Sequence, residues 1–259
     1  MFKGFMPYVG NKSREINKIK EHVSCDPEST FVDVFCGSEV VGGNFCKDER
    51  FSGVVFNDVD PDVSEMCWVF QDDDDYKNLI RECQKVKTAE EYEQKIKEYP
   101  LTKFFLKSVC TFSGMGGKWC QKAYDTRHKS LESKIPYQVN WSVNIGKPSK
   151  GINYTNVDYK LIFKLYNKKE CFLYLDPPYV TKKDNNYGTD FTVDDLIFIR
   201  DFMRNCECKV MLNIDFNGWI YTEFKDMIRE VYSHTYSSSN SKERNKKFYT
   251  NFHTIITNY

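Results

Sequence analysis

Apolar and polar positions follow two different rhythms along this chain, and the changes of rhythm divide it into elements. Thr30 to Phe35, Gly53 to Asn57, Cys171 to Leu175 and Lys209 to Ile214 are short apolar runs that read as buried strands. Helical spacing fills the intervals between several of them. Ile16 to His22 reads as the end of a first helix, and a further helix runs from about Trp219 to Ile228. Thr192-Val193-Asp194-Asp195 places an N-cap before acids in a first turn and opens a helix to about Arg204. Val231 to Tyr236 and His253 to Asn258 alternate as a final antiparallel pair around a serine- and lysine-rich loop. Strands alternating with helices predict an α/β fold.

That alternation stops between about Pro61 and Ser149. Thr88-Ala89-Glu90-Glu91 is a capping-box pattern, Pro100 ends the helix that it opens, and Leu101 to Phe112 has a helical apolar face. Ser113 to Lys150 is glycine-rich, basic and weakly periodic, which suits a binding loop better than a core. The expected organisation is an α/β domain made from residues 1–60 and 150–259, with residues 61–149 inserted as a mostly helical region.

With 259 residues, 41% of them hydrophobic, the chain can build a substantial core. Its formal net charge is zero but unevenly spread. Asp58 to Asp75 holds eight acids and no base, whereas Lys118 to Lys150 holds seven bases against Asp125 and Glu132. Trp119, Tyr124, Tyr137 and Trp141 are interleaved with those bases, a mixture suited to phosphates and bases of nucleic acid. Charge runs are also commonly solvated faces, and tryptophans are more often packing residues than stacking ones. The ten cysteines include no CxxC pair, so they read as reduced thiols and no metal site is expected. The first residues lack the apolar stretch of a signal peptide, and no run of 18 apolar residues occurs. A soluble intracellular protein without a membrane partner is expected.

The strand Cys171 to Leu175 delivers Asp176-Pro177-Pro178-Tyr179 to the C-terminal edge of its sheet. Open α/β sheets bind ligands at that edge. The two prolines stiffen the loop, because each fixes its own φ and extends the residue before it. A stiff loop carrying a carboxylate and an aromatic ring suits an exocyclic amino group on a flat base. The amino nitrogen of adenine or cytosine is a poor nucleophile, its lone pair being delocalised into the ring. The Asp176 carboxylate and the Pro177 carbonyl, accepting its two N–H groups, would localise that pair, and Tyr179 would stack on the ring. The base must leave its duplex first, at a cost of about a few kcal/mol. The plain alternative is a tight strand-to-helix turn with a solvent-facing aspartate.

Phe31 to Ser38 is a strand ending in a glycine turn, where backbone approaches a ligand closely. Asp58 ends the next strand about 20 residues on, the spacing of an acid that receives two ribose hydroxyls. S-adenosylmethionine fits such a site and needs no metal, its sulfonium activating its own methyl group.

The order of these motifs resembles the Dam-type, D12 class DNA adenine-N6 methyltransferases over nearly the whole chain. Pro7-Tyr8-Val9-Gly10-Asn11-Lys12 resembles the family's Y-x-G-N-K element, which implies that Tyr8, Gly10 and Lys12 lie near the methionine end of the cofactor. Phe31 to Gly37 is similar to its F-x-D-x-F-x-G strand, which puts Asp33, Phe35 and Gly37 at the cofactor, with Asp33 near the amino-acid end. Asp58 matches the ribose-binding acid, and Asp158 the residue that receives the cofactor's adenine amino group, although Asp158 also suits a helix cap before Tyr159 to Tyr166. Tyr187, Phe191 and Leu212-Asn213 follow the DPPY residues at the family's spacing, and Ile255 to Tyr259 resembles its closing strand.

The resemblance implies a Rossmann-like, S-adenosylmethionine-dependent methyltransferase sheet with an inserted target-recognition domain, acting on the N6 of a flipped adenine in double-stranded DNA. Catalysis falls to Asp176, Pro177, Pro178 and Tyr179, with Asp176 also at the cofactor, and DNA contact to Gly116, Lys118, Trp119, Lys122 and Arg127. The expected location is the cytoplasm of a bacterial or phage-infected cell, or the nucleus or virus factory of a virus-infected eukaryote. Two departures stand out. Glu39 replaces the second glycine of the family's F-x-G-x-G, putting a charged side chain at a close backbone approach and cofactor affinity in question. The family's usual recognition residues are absent, and Phe112 to Trp119 stands in their place. The same chemistry on RNA or on cytosine N4, and a nucleic-acid-binding protein that has lost turnover through Glu39, are the alternatives.

Overall fold

The computed structural model describes residues 2, 10–71, 73–98, 105–107, 109–111, 118–128, 148–178, 180, 191–236 and 249–259. Seven strands form one sheet: β1 (Ser29–Asp33), β2 (Phe51–Asn57), β3 (Ile152–Thr155), β4 (Cys171–Leu175), β5 (Lys209–Asp215), β6 (Ile228–Tyr236) and β7 (Tyr249–Thr257). Their spatial order is β3-β2-β1-β4-β5-β7-β6, and only the pairings of β7, with β5 and with β6, are antiparallel. From β1 the chain moves outward through β2 and β3, then returns to lay β4 on the other side of β1. The order of winding therefore reverses between β1 and β4, which makes that crevice the ligand-binding point of a doubly wound sheet. The sheet is Rossmann-like, as the family resemblance implies, and α/β as the alternation of elements predicts.

The central strands are apolar on both faces because helices cover both. On one face Phe31, Phe56 and Tyr174 share a core with α1 (Ile16–His22), α2 (Val40–Phe45) and α3 (Pro61–Gln71). Phe31 lies at its centre, fully buried, stacked on Phe45 at 4.3 Å and edge-on to Phe51 at 5.1 Å between ring centroids. Truncating such a ring to alanine costs about 3–5 kcal/mol. On the other face Val32, Leu173 and Leu175 pack with α6 (Tyr159–Tyr166), α7 (Val193–Asn205) and α8 (Gly218–Phe224).

Residues 61–149, expected as an insertion, contribute α3, α4 (Asp73–Gln84) and α5 (Ala89–Glu98), and residues 105–107 and 109–110 are helical. The predicted capping box is formed: the Glu91 carboxylate accepts from the Thr88 amide at 3.1 Å, and Thr88 Oγ1 accepts from the Glu91 amide at 3.2 Å. Ile80, Tyr92, Leu106 and Val109 join the same core as α1 and α2, so the described part of the insertion packs onto the sheet's helical layer.

Several boundaries differ from the sequence pattern. The helix expected to reach Ile228 stops at Phe224, and Ile228 opens β6 opposite Ile256. Apolar spacing through Ile220, Phe224, Met227 and Ile228 fits both a longer helix and a turn into a strand. The first strand ends at Asp33 rather than Phe35, because Val34 and Phe35 already belong to the turn above the sheet. β3 and α2 were not foreseen: β3 is a four-residue edge strand, and α2 contains Gly42-Gly43, poor helix formers. The serine- and lysine-rich loop, Pro100 and most of Ser113 to Ser149 lie outside the described residues.

Candidate active site

Sheet register brings three acids to one edge. Asp33 pairs with Phe56 of β2 and Tyr174 of β4, so Asp58 and Asp176 each follow two residues beyond a partner of Asp33. All three line a cavity of about 650 Å³ above the β1/β4 crevice. Small-molecule sites occupy about 300–1,000 Å³.

The β1 side of the cavity is a backbone cradle. Gly37 turns with φ 48° and donates its amide to Asp58 Oδ2 at 3.0 Å. The Asp60 amide donates to Asp58 Oδ1 at 3.0 Å, so this carboxylate is fixed from both ends. Asp33 is 2% exposed and accepts the Gly42 amide at 2.8 Å. A Cβ at position 42 would lie 2.4 Å from the Phe56 ring and 3.1 Å from Asp33 Oδ2, so only glycine fits there. Burial pushes the Asp33 carboxyl up to about 7 and the Asp58 carboxyl up to about 6, outweighing the backbone amides that favour their charged forms.

Glu39, the departure from the family's glycine pattern, does not obstruct this cradle. Its φ of 60° is left-handed, the conformation that a glycine adopts without cost. Its neighbours Ser38 and Val40 line the cavity, while Glu39 does not; the side chain is buried in the core near Cys67 and Tyr154. The glycine is replaced in sequence, but its backbone conformation is kept.

The opposite wall is aromatic. Tyr159 and Phe191 lie 5.6 and 6.0 Å from Phe35, between ring centroids. The Tyr159 hydroxyl donates to Asp195 at 2.7 Å, and Asp195 also completes the capping box with Thr192 at the start of α7. Asp158 lines the cavity and caps α6, accepting from the Lys160 amide at 2.8 Å. The two readings of Asp158 are therefore compatible, since one oxygen serves the cap.

At the β4 side, Asp176, Pro177 and Pro178 follow the strand directly and line the cavity with Gly10 and Lys12. The Lys12 ammonium reaches Asp176 Oδ1 at 2.7 Å and Oδ2 at 2.5 Å, and donates to the Gly10 carbonyl at 3.1 Å. Their side chains are 4% and 17% exposed. Burial opposes the Lys12 charge, but the adjacent carboxylate more than compensates and holds its pKa above the ordinary lysine value. Burial pushes the Asp176 carboxyl up, and Lys12 limits that rise.

The structure thus brings together Gly10, Lys12, Asp33, Phe35, Gly37, Asp58, Asp158, Asp176, Pro177 and Pro178 around one cavity. Tyr8, Tyr179, Tyr187 and Gly116 lie outside the described residues, as does the Arg127 side chain. Lys118 and Lys122 are exposed and do not line the cavity. Trp119 packs against Tyr92 and Tyr124, at 5.9 and 4.8 Å between centroids. Tyr159, Tyr174 and Asp195 line the cavity without having been singled out from sequence. Among the described residues no group of three or more histidines, cysteines or acids is placed to hold a metal, and no helix is long and apolar enough to cross a membrane.

S-adenosylmethionine fits this donor set. A glycine turn, an anchored acid that could take a ribose, an aromatic wall that could take an adenine and a buried acid that could take an ammonium surround one cavity of adequate size.

Residues 8–103 match the D12 class N6 adenine-specific DNA methyltransferases. The type II methyltransferase M.MjaIII of Methanocaldococcus jannaschii is 24% identical over 261 residues, covering 86% of this chain and 89% of its own. The rRNA methyltransferase aviRa of Streptomyces viridochromogenes aligns over 95% of this chain and 83% of its own, at 8% identity and a TM-score of 0.40. The cradle lies inside the residues that match the D12 class N6 adenine-specific DNA methyltransferases, and the Asp-Pro-Pro turn faces it across the crevice, so the site is similar to that family on the β1 side.

Proposed function

We propose that the protein methylates the N6 amino group of an adenine swung out of double-stranded DNA, at a specific site, using S-adenosylmethionine. The observation that carries this reading is that Asp176, at the end of β4, shares a cavity with Asp33 and Asp58 at the ends of the two neighbouring strands. An acceptor for an amino group and a cradle for a nucleoside-bearing cofactor therefore meet at the switch point. When bound, S-adenosylmethionine supplies a methyl group activated by its sulfonium and leaves as S-adenosylhomocysteine.

The residues do the rest by alignment and polarisation. Asp33 receives the cofactor's ammonium, Asp58 its ribose and Asp158 its adenine amino group, with Gly10, Lys12, Phe35 and Gly37 shaping the site and Tyr8 completing it. Asp176 and the Pro177 carbonyl accept the two N–H groups of the target adenine, which localises the nitrogen lone pair. Pro178 keeps the turn stiff, and Tyr179 stacks on the base. The nitrogen becomes cationic on methylation, and its surplus proton leaves to Asp176 or to water. Orientation of two bound reactants supplies much of the acceleration.

The catalytic domain comprises residues 1–60 and 150–259, and residues 61–149 form the target-recognition region. Within it Gly116, Lys118, Trp119, Lys122 and Arg127 contact DNA. Lys118 and Lys122 suit phosphates because they are exposed.

The test is to incubate the protein with S-adenosylmethionine and unmethylated double-stranded DNA, digest to nucleosides and look by mass spectrometry. N6-methyladenine is the expected product. N4-methylcytosine would transfer the same chemistry to another base, and no methylated nucleoside in DNA or RNA would overturn the enzymatic reading.

A further inference from the structure

We infer that Lys12 is a positioning residue for methyl transfer: its ammonium holds the Asp176 carboxylate in its charged, accepting form until an amino group takes over one of its oxygens. This rests on the methyltransferase reading above and assigns Lys12 a task on the base side of the cavity, beside its place at the cofactor.

A carboxylate polarises an amino group only while it is ionised. A protonated carboxyl offers an O–H where an acceptor is required, and it leaves the nitrogen lone pair delocalised. Asp176 is placed where ionisation is costly, 17% exposed at the end of a fully buried strand. The groups facing it do not remove that cost. Asp33 from β1 and Glu15 from the segment before α1 are acids that oppose its charge. Tyr174 from β4 and Tyr232 from β6 are phenols held neutral by burial. His253 from β7 favours the carboxylate electrostatically, but its Nε2 lies 2.9 Å from another acid, Asp215. Contact with a positive charge comes from Lys12.

The grip is geometric as well as electrostatic. An ammonium has three donors, and Lys12 finds Asp176 Oδ1, Asp176 Oδ2 and the Gly10 carbonyl at 2.7, 2.5 and 3.1 Å. Gly10 turns with φ 80° to present that carbonyl. When an N–H of the base takes one carboxylate oxygen, Lys12 retains the other oxygen and Gly10, so the charge stays compensated during the exchange. Two elements 164 residues apart are coupled in this way, and the cofactor-side segment sets the readiness of the base-side acid.

The experiment follows Asp176 directly. Protein labelled with ¹³C-carboxyl aspartate is titrated by infrared spectroscopy, and an Asp176→Asn sample identifies the band. Lys12→Met and Lys12→Gln are the neutral variants, and Lys12→Arg keeps the charge. The Asp176 protonation midpoint should rise by at least about one pH unit in the neutral variants and stay near the wild-type value in Lys12→Arg. Single-turnover methylation at saturating cofactor should fall about tenfold per unit of that rise where the pH lies below both midpoints, and recover as pH rises above the shifted one. An Asp176 midpoint unmoved by loss of the Lys12 charge would overturn the assignment. So would a loss of S-adenosylmethionine affinity with an unchanged pH profile, which would leave Lys12 a cofactor contact alone. The infrared result stands whether or not adenine is the substrate, so failure of the functional reading would show separately, as wild-type protein that makes no N6-methyladenine.

Discussion

Asp33 accepts the Gly42 amide at 2.8 Å across the turn between β1 and α2, and this buried pair couples the cavity to pH. Burial raises the Asp33 carboxyl to about 7 and the Asp58 carboxyl to about 6 in the free protein. Binding a cation beside Asp33 and ribose hydroxyls at Asp58 favours their charged forms, so binding releases protons wherever the free protein still holds them. Affinity for S-adenosylmethionine should therefore strengthen from about pH 5 to about pH 7 and level off above. Titration calorimetry in buffers of different ionisation enthalpy measures the release, and Asp33→Asn should remove the upper part of the dependence. Affinity that is flat across this range would contradict the assignment of Asp33.

Asp176→Ala is expected to abolish methylation while leaving cofactor binding largely in place, because the cradle belongs to β1 and β2. The same change withdraws the counter-charge from the buried Lys12, and breaking such a pair costs about 3–5 kcal/mol. Asp176→Asn keeps the shape and one acceptor, and should fold better while still losing about 100-fold or more in single-turnover rate. Rapid-quench kinetics with a parallel denaturant titration separates the two effects. Retained turnover in Asp176→Asn would refute the role of the carboxylate.

Glu39→Gly should make the protein more stable, not more active. The left-handed backbone at Glu39 costs a non-glycine residue about 1–2 kcal/mol, and the carboxylate is buried as well. Glycine removes both burdens, at some cost in the entropy of the unfolded chain. A net gain of about 1–2 kcal/mol in urea denaturation is expected, with S-adenosylmethionine affinity within about twofold of wild type. A large gain in affinity would mean that the Glu39 side chain hinders the cofactor after all.

The contrast between Glu39 and Asp33 shows what the sequence made legible. Asp58 and Asp176 could be found because each follows the end of a strand-like run, and parallel strands deliver such ends to one edge; Asp33 lies inside the run Thr30 to Phe35 and was found only through the family resemblance. Glu39 was legible as a replaced glycine but not as a side chain turned into the core, since that depends on a backbone angle. Asp195 was read only as an acid in the first turn after Thr192, which left unseen both its capping box with Thr192 and its hold on Tyr159 at the cavity. The Lys12–Asp176 pair spans 164 residues, a separation that no local pattern encodes. β3 escaped notice because a short edge strand of half-buried residues has neither a continuous apolar run nor strict alternation.

Lys118 and Lys122 give the remaining prediction, concerning DNA. Both are exposed, flank the isolated pairing of Thr111 with Trp119, and lie in the most basic part of the chain. A lysine that neutralises one phosphate contributes about 0.9 to the slope of log affinity against log salt on duplex DNA. Lys118→Ala and Lys122→Ala should each weaken binding nearly uniformly across sequences and lower that slope by about 1. Trp119→Ala should behave differently, because its ring is packed against Tyr92 and Tyr124: thermal stability should fall together with binding. Fluorescence anisotropy over a salt series, paired with melting curves for each variant, distinguishes a phosphate contact from a packing residue. Lysine variants with an unchanged salt slope would place the DNA on another face of the molecule.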